Sequence, residues 1–183
     1  MENKFYAMYT SHNIILVFDN QIERDEYVKD EYVVHPDIKA VDYQVIEKMI
    51  IGKEPKYDDG FGCMVIELES IGENVNWAFM HDRYDDINEF RNAVIAWNKE
   101  IGSPIADSEL DRICVFAPAF IVKYENDFFD ETFVKILHSR NGENFTTIEL
   151  LWKLNNFLYD NQVLKQHIYF EGLDYSGTLH LGS

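Results

Sequence analysis

Apolar positions are most concentrated over Phe145–Leu158, FTTIELLWKLNNFL. At about 100° per residue, Glu149, Lys153 and Asn156 fall in one narrow polar stripe. Ile148, Leu150, Leu151, Trp152, Leu154, Phe157 and Leu158 spread around the rest of the circumference. A helix apolar on most of its surface is one that the fold must surround. Thr146 and Glu149 have the spacing of a capping box, and Phe145 and Leu150 that of the accompanying hydrophobic staple. Glu149 and Lys153 form an i,i+4 pair in the favourable order, as expected of a stripe that still meets water. The pattern predicts a buried helix over about 146–159.

The remaining pattern alternates between strand and helix periods. KFYAMY (4–9) and IILVF (14–18) predict a hairpin around Ser11-His12-Asn13. Asp19 or Asn20 caps a helix over 21–32, on which Glu23, Glu26 and Asp30 share a stripe. Pro36 interrupts, and Val41, Val45, Ile46 and Met49 predict a second helix over 40–51, ended by Gly52. Lys53–Gly62, with Pro55 and Asp59-Gly60, predicts a loop and a module boundary. Residues 61–69 and 75–80 read as a strand pair joined across Gly72-Glu73-Asn74. Ile87, Phe90, Val94, Trp97 and Ile101 repeat at helical spacing behind a cap at Asp85 or Asp86. The apolar run Ile113–Tyr124 contains Pro118, which predicts two strands or a bulged edge strand. Phe128–His138 reads as a helix, and 167–171 with 178–181 as a closing hairpin through Asp174–Gly177. The expected class is α+β: a small β-hairpin/helix module over 1–56, and a mixed domain over 57–183 packed around the buried helix.

Charge adds the main functional signal. The chain of 183 residues carries 33 acidic and 16 basic side chains, a net charge of −17. A content of 46% hydrophobic residues argues against disorder at this charge. The acid is spread along the chain, so it describes a folded surface and not a tail. Such a surface repels nucleic acid and anionic membrane and attracts basic partners. Direct contact with bases or phosphates is excluded most firmly, because Lys and Arg are not interleaved with the many aromatics.

Cys63 and Cys114 each sit in an apolar run and read as buried thiols of a reducing compartment. The N-terminal MENKFYAMYT lacks the pattern of a signal peptide. No apolar run approaches the roughly 18 residues that span a bilayer. The expected location is the cytoplasm.

Catalytic motifs are absent: there is no P-loop, dinucleotide-binding glycine pattern, nucleophile elbow, HExxH or CxxC. The histidines are scattered without ligand spacing. The best metal candidate is His81-Asp82-x-x-Asp85-Asp86, whose carboxylates suit Mg²⁺ and phosphodiester cleavage. The competing account is that Asp85 and Asp86 cap the following helix while Asp82 is solvated, and it needs no metal or cofactor. Asp127, Asp130 and Glu131 form a second acidic cluster with the same two readings. Two stripes, Glu23/Glu26/Asp30 and Asp82/Asp85/Asp86/Glu89, are the candidate protein-binding residues. They imitate part of the phosphate array of a nucleic acid and suit the basic groove of a nucleic-acid enzyme. Solubility is the plainer account of the same acid.

The N-terminal run KFYAMYT…ILVFDNQIERDEYV resembles small modules of phage and mobile-element proteins from Gram-positive bacteria. FTTIELLWKLNN…HIYFEGLDY…LHLGS is similar to the tails of proteins from that setting. With size and acidity, these runs resemble anti-CRISPR proteins directed at Cas9 (type II-A). The resemblance implies an inhibitor acting in the bacterial cytoplasm on Cas9, with or without guide RNA. It assigns no functional residue and leaves the route open: decoy, allosteric or enzymatic. The alternatives are an immunity protein that neutralises a cationic nuclease toxin, and a metal-dependent nuclease acting on guide RNA.

Overall fold

Successive residues of the first strand point into two different cores, which sets the architecture of the N-terminal part. The structure is a computed structural model that describes residues 4–41, 46, 48–50, 53–79, 82–126, 131–161 and 169–182. Strand β1 (Phe5–Tyr9) pairs antiparallel with β2 (Ile14–Phe18), with Phe5 opposite Phe18 and Tyr9 opposite Ile14. The connection is a 3-10 turn, Thr10–His12, followed by Asn13 at φ 54°. Asn tolerates this left-handed conformation better than most residues. Ala7, Tyr9, Leu16 and Phe18 are buried in one cluster, while Tyr6, Met8 and Ile15 are buried in another. The period of two along each strand thus gives a sheet covered on both faces.

Three further strands complete this sheet: β3 (Ile38–Val41), β4 (Lys56–Asp58) and β5 (Cys63–Glu67), in the order β3-β1-β2-β5-β4. Helix α1 (Gln21–Glu31) touches the first cluster through Tyr27 and Val28. Residues 1–70 and 174–176 form one compact unit, and 71–173 with 177–183 form another. The short return is fixed within the first unit by Asn13, whose Oδ1 accepts from the Tyr175 N–H at 3.1 Å and whose Nδ2 donates to Ser70 at 3.1 Å.

The second unit is built around three helices: α2 (Ile87–Glu100), α3 (Asp107–Asp111) and α4 (Thr147–Asp160). Around them lie three two-stranded sheets. These pair β6 (Ile113–Val115) with β9 (Phe145–Thr146), β7 (Ala119–Asn126) with β8 (Glu131–His138), and β10 (Tyr169–Leu173) with β11 (Leu179–Gly182). Both α2 and α3 pack on α4, where Ile148, Leu150, Leu151, Leu154, Phe157 and Leu158 are buried. Gly177 (φ +92°) lets β7 approach, since a Cβ there would lie 1.9 Å from the Ile121 carbonyl oxygen. The class is mixed α+β, with four helices and eleven strands among the described residues.

Three expectations are corrected. Residues 61–69 do not pair with 75–80: β5 joins β2 and β4, and 75–79 form no strand. Both partners were β-prone, and only the tertiary fold offered Val65 and Ile66 a covered sheet. Glu131–His138 is a strand paired along its length with β7, where a helix was expected. Its Phe133, Val134 and Ile136 suit a pleated surface better than a helix. The helix expected over 40–51 begins later, because Ile38–Val41 forms β3; Ile46, Lys48 and Met49 are helical, and 42–45, 47 and 51–52 lie outside the described residues.

Candidate protein-binding surfaces

The Glu23/Glu26/Asp30 stripe lies on α1, which starts at Asn20. The Asn20 side chain accepts from the Glu23 N–H at 2.9 Å, as expected of a good N-cap. No residue of α1 is buried, and Glu23, Glu26 and Asp30 are all exposed. A rise of about 1.5 Å per residue spaces these charges roughly 5 Å apart. One DNA strand carries a charge about every 3.4 Å. The stripe therefore approaches the density of a single strand and falls well short of a duplex. Arg24 pairs with Asp25 at 2.7 Å and lies 5.8 Å from the Phe5 ring, which holds that cation beside the sheet. Tyr27, on the side of α1 that meets the sheet, is pushed up to about 12 by burial and then by Cys63, Glu31 and Tyr9, so its phenol stays neutral.

The second stripe is held differently. Asp82 and Tyr84 are fixed to α4 through their main chain. The Asp82 carbonyl accepts from Asn155 at 2.9 Å, and the Tyr84 carbonyl accepts from Trp152 at 2.7 Å and Asn156 at 2.8 Å. The Tyr84 N–H donates to Asn156 Oδ1 at 3.1 Å, and Trp77 donates to Asn155 Oδ1 at 3.1 Å. Trp77, Tyr84 and Phe90 meet edge to face below.

On this frame Asp86 caps α2, accepting from the Asn88 N–H at 2.7 Å. Asp85 is paired with Arg83, which also reaches Asp160 at 3.1 Å. These hydrogen bonds, Asp85 first, raise the Arg83 guanidinium above its ordinary value. Asp82 and Glu89 are exposed. Asp85, Asp86, Ile87, Asn88, Arg140 and Trp152 line an open pocket of about 410 Å³. Arg140 lies 5.9 Å from the centre of the Trp152 ring, and Lys153 lies 5.4 Å from it. The four acids are therefore mixed with cations, not gathered into a uniform field.

Asp86 thus follows the capping account given above, whereas Asp85 does not cap the helix and pairs with Arg83. Among the described residues, no three His, Cys, Asp or Glu side chains are placed to hold a metal ion. His81 and Asp127–Asp130 lie outside the described residues. Cys114 is buried and its thiol is pushed up to about 12 by that burial. Cys63 is only partly buried, which corrects the expectation for that residue, and both thiols are free. No helix among the described residues is long and apolar enough to cross a membrane.

Sequence reasoning missed Asn155 and Asn156, which hold Asp82 and Tyr84 by their main chain. The signal was present, because two adjacent asparagines inside a strong helix pattern oppose its propensity and need a tertiary reason. It also placed Glu149 towards water. Glu149 is buried and accepts from the Arg140 N–H at 2.6 Å, so Thr146 completes only its own half of the capping box, accepting from the Glu149 N–H at 3.3 Å. Compared with known proteins, the chain matches no family model, no curated protein and no solved structure.

Proposed function

We propose that the protein inhibits a bacterial nucleic-acid effector, with Cas9 as the target, by presenting the acidic face of α1 to a basic groove. The observation that carries this reading is the exposure of Glu23, Glu26 and Asp30 on a helix with no fully buried residue. Residues required neither for the core nor for a local ion pair are free to meet a partner. The second stripe supports it less, since Asp85 and Asp86 already serve Arg83 and the start of α2.

The test mixes the protein with guide-loaded and unloaded Cas9 and follows complex formation, guide integrity and target cleavage. Binding is expected to weaken steeply as salt rises. The triple reversal Glu23→Lys/Glu26→Lys/Asp30→Lys is expected to remove inhibition, and reversal of Asp82, Asp85, Asp86 and Glu89 to weaken it less. Inhibition that survives both reversals rejects the acidic-surface route. A shortened guide RNA, with activity lost in EDTA, would replace it with the enzymatic reading. No interaction with Cas9 in any state would put the toxin-immunity reading first.

A further inference from the structure

Directly after α1 the chain exposes three apolar residues in a row. Tyr32 is 56% exposed, Val33 86% and Val34 68%, and Ile22 on the first turn of the same helix is 69% exposed. Three consecutive exposed apolar residues are not a feature that folding asks for, and their usual reason is function.

The backbone holding them is well tied. The N–H groups of Tyr32, Val34 and His35 donate to Val28, Glu31 and Glu31 carbonyls at 3.0, 3.0 and 2.7 Å. Beyond them the His35 ring nitrogen meets the Tyr9 hydroxyl at 2.9 Å, and Ile38 is buried in the sheet core. The turn is therefore pinned at both ends while its side chains face solvent. Two of those side chains are β-branched and lose little rotamer freedom on contact. A pre-organised apolar projection suits the centre of an interface, where a few anchors carry most of the binding energy.

We propose that Tyr32–Val34 is the apolar anchor of a docking surface whose occupant is a cationic protein with an apolar pocket beside its basic groove. The proposal rests on the acidic-surface reading above and names the chemistry of its partner. Charge complementarity selects the occupant. Val33 lies three residues beyond Asp30, just past the end of α1, so the acidic stripe leads up to the anchor, with Glu23 about 12 Å back from the end of the helix. Anionic lipid and nucleic acid are repelled by the same stripe, and a second copy would bring an equal charge of −17. A cationic protein surface alone satisfies both the acid and the exposed valines.

The experiment measures binding of wild type and of Val33→Ala/Val34→Ala to two probes. The first is guide-loaded Cas9. The second is a helical peptide of Lys and Leu with its leucines on one face, compared with a Lys/Ser peptide of equal length and charge. The double variant is expected to bind Cas9 and the Lys/Leu peptide about 30-fold more weakly, the scale of a strong interface anchor. Its thermal midpoint and its salt dependence should stay those of wild type. Unchanged Cas9 binding by the double variant overturns the anchor and leaves the proposed function standing. If wild type does not bind Cas9, that function fails and the peptides decide alone. Weaker Lys/Leu binding by the variant then sustains the anchor, whereas equal binding of both peptides, equal binding of both proteins, or no peptide binding overturns it.

Discussion

Helix α1 runs over eleven residues and buries none of them, whereas α4 runs over fourteen and buries nine. Both begin at a polar cap whose side chain accepts the N–H three residues on. Local capping is therefore common to the two, and it does not decide what each helix is for. The difference lies in the circumference. On α4, apolar side chains occupy most of it, and even the polar ones are used inward: Asn155 and Asn156 hold residues 82–84, and Glu149 holds Arg140. On α1, Tyr27 and Val28 make a thin attachment, and apart from Gln21 and Ile22 the remaining positions are charged. A helix that builds a core cannot change its surface without cost. One attached by two side chains can carry almost any surface, and here it carries the acid on which the proposed function rests.

The largest test of this contrast is truncation of apolar side chains. Leu151→Ala or Leu154→Ala is expected to cost about 2–5 kcal/mol, the range for fully buried leucines. Ile22→Ala, on the exposed start of α1, is expected to stay within about 0.5 kcal/mol of wild type. Chemical denaturation measures both. Leucine variants as stable as wild type would remove α4 from its central place.

A smaller effect sharpens the account of the α4 asparagines. Asn155→Ala leaves the Trp77 indole N–H and the Asp82 carbonyl without that partner, and about 1–3 kcal/mol is the usual cost of stranding a buried polar group. Trp77 fluorescence should change with it. A neutral result would mean that segment 82–84 is held by Trp152 and Asn156 alone.

The smallest effect is a pH dependence found in both units. Burial raises the Cys114 thiol from 9.0 to about 12 and the Tyr27 phenol from 10.0 to about 12. Each group is neutral in the folded chain while the unfolded chain begins to ionise it. The unfolded state thus binds fewer protons, and stability is lost as pH rises from about 9 towards 12. Denaturation at pH 7 and at steps from pH 9 to 11 should show this fall. Cys114→Ala should flatten its lower part and Tyr27→Phe its upper part, and identical profiles for all three proteins would contradict the burial of both groups.

Much of the fold was legible because it follows from short-range patterns. The β1–β2 hairpin, the caps at Asn20 and Thr146, the stripe of α2 and the closing hairpin all depend on neighbours within a few residues. The acidic residues of both stripes were legible for the same reason. Their local tasks were open until the fold turned Arg83 onto Asp85 and brought Arg140 and Lys153, distant in the chain, to the second stripe.

By itself, then, the sequence determined the α+β class, the buried helix at its core and the acidic face of α1, because periodicity and charge act along the chain. The tertiary structure alone decided that β5 pairs with β2, since several β-prone runs compete for one sheet edge and burial selects among them. It also decided that Glu131–His138 is a strand, because pairing with β7 along its whole length satisfies the backbone of a run whose period was ambiguous in sequence. And it decided that Tyr32–Val34 stands in solvent. The sequence alone assigned these three apolar residues no surroundings, and only the fold shows them exposed.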